Sequence, residues 1–303
     1  MDGVSVTAHW SGTNENLHGG FGQIWRHDIT DSVVKNRVML SEGPARNPVI
    51  SPDGTRVAFA RCDNRVCVMP LAGGEVRELS TGHGEGCLDW PSGDWIYYNK
   101  GRYDDPEYSA QLHRVNAVTG ADEHVVTWCK GIWRFGISRD LTRAAVRPND
   151  TQIAPKGCVT AYDMVNDNGV LRKERSTRIS EGFRCCTGID PAGDYLMIGN
   201  REHTGTSIAR WEDIGDIVFH FDNEQAVSWG PDTRDSGLSH NRNTWSSNSS
   251  KWICIHMGWG FRGAEGANQI LINWVDKKRV RVTDNEEGSK QFDCCGDLWV
   301  SKE

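Results

Sequence analysis

The sequence predicts an all-β chain, a six-bladed β-propeller of four-stranded antiparallel blades. Three observations lead there. A strand–turn–strand unit recurs along the chain. A glycine stands at a fixed distance ahead of most copies. Segments with helical periodicity are nearly absent.

The recurring unit is an apolar strand, a tight turn and a second apolar strand. Ile50-Ser51-Pro52-Asp53-Gly54 precedes Arg56 to Ala60, and Ile189-Asp190-Pro191-Ala192-Gly193 precedes Tyr195 to Ile198. Asp89-Trp90-Pro91-Ser92-Gly93 precedes Trp95 to Tyr98, and Ile137-Ser138-Arg139-Asp140 precedes Thr142 to Val146. Thr244 to Asn248 precedes Lys251 to Ile255, and a shorter copy, Cys294-Cys295-Gly296-Asp297, precedes Leu298 to Val300. Proline presets φ at one turn position, and Gly, Asp or Asn accepts the geometry that follows. Gly43, Gly82, Gly182, Gly237 and Gly288 each sit eight residues before the residue that opens the turn or its counterpart, and Gly131 sits seven before Ser138.

A second strand signal lies between the hairpins, as in Gln23 to Trp25, Val66 to Met69, Gln111 to Val115, Cys158 to Tyr162 and Gln269 to Ile272. Each is followed by a turn and another strand. The copy between Thr206 and Trp229 is longer and reads as a blade with an insertion. Four strands every ~40–55 residues is the signature of a blade. The last hairpin has no outer strands after it, so the N-terminal strands around Gln23 to Leu40 are expected to complete that blade and close the ring. The whole chain, residues 1–303, then forms a single domain.

The inner hairpins resemble the PD40-type repeat of TolB-like propellers. Ser51-Pro52-Asp53-Gly54 matches the hallmark turn in full, and Pro191-Ala192-Gly193 and Pro91-Ser92-Gly93 match in part. The resemblance implies architecture over nearly the whole chain. It is generic as to function, since such propellers include protein-binding scaffolds, glycan binders and enzymes.

Composition narrows the function classes. A net charge of −7 disfavours nucleic acid and gives no reason to invoke an anionic membrane surface. No apolar run is long enough to span a bilayer as a helix. The start, Met1 to Trp10, lacks the basic and apolar regions of a signal peptide, although a mature secreted chain with an added Met fits the same start. Gly258 to Gly263 matches GxGxxG formally but leads into a strand and reads as a hairpin loop; no GxSxG elbow is present. Asn149-Asp150-Thr151 and Asn248-Ser249-Ser250 are glycosylation sequons.

The segments leading into the inner strands should converge on one mouth of the central channel. Alignment puts Arg46, Glu85, Cys185, His240 and Gln291 at one equivalent position, with Trp133 or Arg134 in the shortened copy. His83, Arg184, Arg242 and Lys290 are neighbours. Planar guanidinium forks suit carboxylate, sulfate or phosphate, and aromatic residues such as Trp133 suit a sugar face. The bland alternative is that these cations are solvated or pair with nearby carboxylates.

Thirteen tryptophans are roughly three times average usage. Trp90, Trp245, Trp252 and Trp299 fall in strand copies and are expected in the core. Trp128, Trp133, Trp229 and Trp259 are expected in loops. Among ten cysteines, Cys62 and Cys67 flank a short turn, where a cross-hairpin disulfide is geometrically plausible. Cys185-Cys186 and Cys294-Cys295 are adjacent pairs beside the mouth and are further disulfide candidates. These pairs tilt the reading towards an extracellular or periplasmic compartment. No metal-ligand motif is present and no cofactor is expected.

Three functions compete. The first is a lectin-like propeller binding carbohydrate, anionic glycans included, or another small polar ligand at the mouth. The second is a polysaccharide lyase or hydrolase using the same mouth, with Arg134, Arg184 or Arg242 neutralising a uronate and His83 or His240 as base. The third is a protein-interaction scaffold.

Overall fold

The structure is a computed structural model. It describes residues 1–11, 22–63, 65–79, 88–100, 109–130, 132–148, 159–167, 170–178, 183–200, 205–214, 216–222, 239–259, 265–283 and 291–302. Every regular element among them is a β-strand, and the sheets are arranged as a β-propeller.

Blade 1 is built from β1 (Asp2–Ser11), β2 (Gly22–Thr30), the first part of β3 (Val33–Ile50) and β23 (Gln291–Lys302), in the order β23-β1-β2-β3. The remainder of β3 continues into blade 2 with β4 (Arg56–Arg61), β5 (Val66–Pro70) and β6 (Arg77–Glu78). The switch lies at Ala45, which pairs with Gly22 on one side and Arg61 on the other. Blade 3 comprises β7 (Leu88–Ser92), β8 (Trp95–Lys100), β9 (Ser109–Asn116) and β10 (Asp122–Lys130). Blade 4 comprises β11 (Ile132–Ile137), β12 (Arg143–Pro148), β13 (Thr160–Asp167) and β14 (Val170–Arg178). Blade 5 comprises β15 (Phe183–Ile189), β16 (Tyr195–Asn200), β17 (Gly205–Arg210) and β18 (Ile217–Asp222). Blade 6 comprises β19 (Ser239–Trp245), β20 (Trp252–Trp259), β21 (Glu265–Asn273) and β22 (Lys278–Arg281). All pairings are antiparallel. The count of six depends on dividing the long sheet within β3, and two further observations support that division.

The first is packing. The inner strands lie side by side in the cyclic order β3, β7, β11, β15, β19, β23 and back to β3. The second is the core, which is six apolar clusters, one between each neighbouring pair of blades. Strand alternation makes this work. Val57 and Phe59 of β4 face blade 1, whereas Ala58 faces blade 3. Tyr97 faces blade 4, whereas Ile96 and Tyr98 face blade 2. Both faces of each central strand are therefore buried, which is why these strands read as continuous apolar runs.

The turns repeat a side-chain device. Ser51 Oγ accepts the N–H groups of Thr55 (3.2 Å) and Arg56 (2.9 Å), and Asp53 accepts Thr55 N–H at 3.0 Å. Ser138 and Asp140 do the same for Arg143 and Thr142, each at 3.0 Å. In blade 5, Asp190 stands in for the serine and accepts Tyr195 N–H at 2.6 Å. Gly54 and Gly193 sit at φ +71° and +84°, and Leu141 holds the corresponding place in blade 4 at φ +63°. Three turns of different sequence thus share one backbone path.

Two expectations need correction. Cys294 to Asp297 is not a turn: β23 runs unbroken through it, and the next strand of the blade is β1, with Val6 opposite Asp297 and Val4 opposite Trp299. Strand β1 thus stands between β23 and the Gln23–Leu40 strands expected to complete the blade. The tryptophans also differ in part. Trp90, Trp245 and Trp252 are buried, and Trp299 packs half-buried on the blade 1–2 core, as expected. Trp128, Trp133 and Trp259, however, lie in β10, β11 and β20 rather than in loops. Trp229 lies outside the described residues, as does most of the expected insertion in blade 5.

Candidate functional site

All six inner strands contribute to one cavity of about 110 Å³ on the propeller axis. Ile50, Trp90, Ile137, Ile189 and Trp245 line it near the turn end of their strands, and Gly136, Gly188 and Gly296 line it where the strands approach most closely. The glycines are needed there: a Cβ on Gly136 would meet Gly188 Cα at 2.9 Å, and one on Gly296 would meet Val6 O at 2.4 Å.

Among the described residues, three charged side chains line this cavity: Asp89, Asp297 and Arg139. The two carboxyls do the same job in different blades. Asp89 of β7 accepts Ile137 N–H of the next blade at 2.9 Å. Asp297 of β23 accepts Ile50 N–H of its next blade, and its own neighbour Leu298 N–H, both at 2.7 Å. Each carboxyl thus ties its inner strand to the following one. Asp297 is 5% exposed. Asp89 keeps part of its surface on the channel but lies deep within the ring. Burial pushes Asp89 up to about 7 and Asp297 up to about 8, against the opposing pull of those N–H donors. The charge of Asp89 adds to the upward push on Asp297.

Arg139, at the turn of blade 4, reaches across the end of the channel. Its Nε donates to Pro91 O of blade 3 at 3.2 Å, and its Nη2 to Ser247 O of blade 6 at 3.1 Å. One guanidinium thus caps the turn end by joining three blades. Pockets that take drug-sized organic ligands run to roughly 300–1,000 Å³. A cavity of about 110 Å³ has room for waters or a small ion.

The residues singled out in the sequence belong to the opposite, upstream end of the inner strands. Arg46 lies on β3 opposite Ala60 and is half-buried. Trp133 and Arg134 lie on β11, Arg184 and Cys185 on β15, His240 and Arg242 on β19, and Gln291 on β23. The topology carries these positions to one end of one ring. His83, Glu85 and Lys290 lie outside the described residues, and of the others Arg46 alone is described to its side chain.

Cys62 and Cys67 are free thiols and do not form the expected cross-hairpin disulfide. Cys67 points into the blade 1–2 core, whereas Cys62 is exposed in the turn, where its N–H donates to Pro44 O at 3.1 Å. Burial pushes the Cys67 thiol up to about 12, the behaviour of a packed apolar group. That pair therefore gives no support to an oxidising compartment. The backbone of Cys185-Cys186 and Cys294-Cys295 lies in β15 and β23.

Sequence reasoning missed Asp89, Asp297 and Arg139 as channel residues. The available signal was an Asp immediately before an apolar residue, Asp89-Trp90 and Asp297-Leu298, in two inner strands.

No protein-family model and no curated protein sequence matches the chain. Solved structures do. A crystal structure of TolB from Acinetobacter baumannii superposes with a TM-score of 0.62 at 10% identity, over 97% of this chain and 66% of that one. This chain therefore spans just under two thirds of that protein's length. A structure assigned as TolB from Agrobacterium tumefaciens superposes with a TM-score of 0.58 at 11% identity, over 99% of this chain and 98% of that one. At such identities the likeness concerns the fold, and in fold this chain is a TolB-like β-propeller.

Proposed function

We propose that the protein is a protein-interaction scaffold whose faces, rather than its channel interior, carry recognition. The observation that supports this most is the small axial cavity, about 110 Å³ and capped by Arg139. It leaves little room for an organic ligand at the turn end. The fold likeness to TolB structures agrees with such a role without fixing a partner.

A second reading, binding of an anionic glycan, draws support from one feature. Arg46, Arg134, Arg184 and Arg242 sit on the upstream parts of four inner strands that surround a single axis. Arginines at such positions would suit uronate or sulfate groups, which match a planar guanidinium.

One experiment separates the two. The purified protein is melted with acidic and neutral oligosaccharides, and is separately used to capture a partner that is then purified and titrated back. A one-to-one complex of micromolar or tighter affinity, kept in an Arg46→Ala, Arg242→Ala variant, supports the scaffold. A rise in melting temperature with acidic sugars alone, lost in that variant, would replace the scaffold with the glycan reading.

A further inference from the structure

We propose that the propeller axis is a seat for one cationic side chain, a lysine or arginine of a partner protein entering from the turn end, and that Arg139 holds the entrance in the free protein. That the occupant belongs to a protein rests on the scaffold reading; the seat itself does not.

The argument begins with charge at the axis. Asp89 and Asp297 line one cavity of about 110 Å³. Each carboxyl accepts backbone N–H groups, that of Ile137 for Asp89 and those of Ile50 and Leu298 for Asp297. Such donors favour the charged form of a carboxyl. Among the described lining residues the one other charged group is Arg139. Two carboxyls in one narrow cavity favour a positive guest.

The chain's own guanidinium shows what kind of guest. Arg139 Nε and Nη2 donate to Pro91 O and Ser247 O, neutral carbonyls on two other blades. Arg56 and Arg143, at the turn ends of blades 2 and 4, are each held by a carboxylate and a tryptophan ring. Hydrogen bonds to ionised acceptors are roughly twice as strong as those to neutral ones. Arg139 is therefore the most loosely held of the three, and it is the one that lies over the channel. An entering cation with several N–H donors takes over the same two carbonyls. The exchange is then nearly even in hydrogen bonds, and the carboxyls within decide it in favour of the guest.

A metal ion fits less well. It needs several oxygens converging at about 2.0–2.6 Å. No three side chains of metal-ligating type come together among the described residues. The small cavity also takes the tip of a side chain more readily than a whole organic molecule.

The test is an NMR titration of the whole chain with methylguanidinium, set against neutral methylurea of similar shape. In Arg139→Ala the Ile50 and Ile137 amides and the Asp89 and Asp297 carboxyls should shift together and saturate, with a Kd of about 1–10 mM. Methylurea should bind that variant at least about tenfold more weakly, and so should methylguanidinium the wild type. Adding Asp89→Asn to Arg139→Ala should weaken methylguanidinium by about tenfold. A peptide with one central arginine should bind Arg139→Ala at least about tenfold more tightly than methylguanidinium, because its flanks rest on the turn face. Equal affinity for methylguanidinium and methylurea, equal affinity of wild type and Arg139→Ala, or a peptide no tighter than methylguanidinium would overturn the proposal. Where a variant does not fold, the wild type decides: excess methylguanidinium must shift the Arg139 Nε–H resonance together with the Ile50 and Ile137 amides. Partner capture by the faces needs no seat, so failure here leaves the scaffold reading standing.

Discussion

At the junction of blades 6 and 1, Asn248 donates to Val300 O at 2.7 Å and accepts Val300 N–H at 2.8 Å. Ser246 Oγ and Ser247 N–H both reach Leu298 O at 2.8 Å, and Thr244 Oγ1 donates to Gly296 O at 2.8 Å. At the junction of blades 2 and 3 the work falls to a cation. Arg56 lies 4.9 Å above the Trp90 ring and meets Asp94 at 2.7 Å, with that carboxylate 46% exposed. Blades 4 and 5 repeat the second pattern, with Arg143 over Trp211 and paired with Glu212. The first junction uses neutral groups that address the β23 backbone directly; the other two use exposed charge. The difference goes with the strand being held: β23 must also pair with β1 at the other end of the chain, and the bonds from blade 6 hold its backbone on the opposite side. Buried neutral bonds fix register there, and salt does not screen them.

The largest expected effect is from Asn248→Ala. It orphans the N–H and C=O of buried Val300 and should lower unfolding free energy by about 2–4 kcal/mol, read from urea midpoints. The matching change across the charged junction, Arg56→Ala, should cost far less.

Close packing gives a second comparison. A Cβ on Gly54 would lie 2.4 Å from Trp299 Cε2 at the junction of blades 1 and 2, and φ there is +71°. On Gly93 it would meet nothing within 4 Å, at φ +55°. Gly54→Ala should cost about 2–4 kcal/mol and Gly93→Ala about 1 kcal/mol, by the same denaturation assay. Equal costs would mean that Trp299 does not pack on that turn.

The pH dependence of stability comes next. Because burial raises Asp89 to about 7 and Asp297 to about 8, their contribution is fully present below the usual carboxylate range and is lost as pH rises through those values. Asp297→Asn keeps an acceptor for Ile50 N–H without the charge. At pH 8 it should be more stable than wild type by about 1–3 kcal/mol, with the advantage gone near pH 4.

Arg56→Ala should change stability by no more than about 1 kcal/mol, and by less in molar salt, since its partner is exposed. A salt-independent loss of several kcal/mol would erase the contrast between the junctions.

The strands themselves were legible in the sequence. The hairpins after Ile50, Ile137 and Ile189 announce themselves because their turns need Ser or Asp at the opening position to accept backbone N–H groups. The joining of β1 to β23 was not. That pairing spans nearly the whole chain, and no local residue pattern encodes a partner so distant. Cys294 to Asp297 misled because Gly296 and Asp297 are turn-forming residue types. In the structure, Gly296 is there because Val6 O and Gln269 come too close for a side chain, and Asp297 because Ile50 N–H needs an acceptor. The Cys62–Cys67 pairing failed for a related reason: separation along the chain carried no information that one side chain enters the core and the other leaves it.

Hydrogen exchange with mass spectrometry on the unmodified protein tests the central claim, that the ring is closed by β1 lying between β23 and β2. Peptides spanning residues 2–11 and 291–302 should exchange slowly and together, among the last in the molecule, while the outer strands β6 and β22 exchange early. Fast exchange of residues 2–11 beside a protected 291–302 would contradict that closure and the junction chemistry built on it.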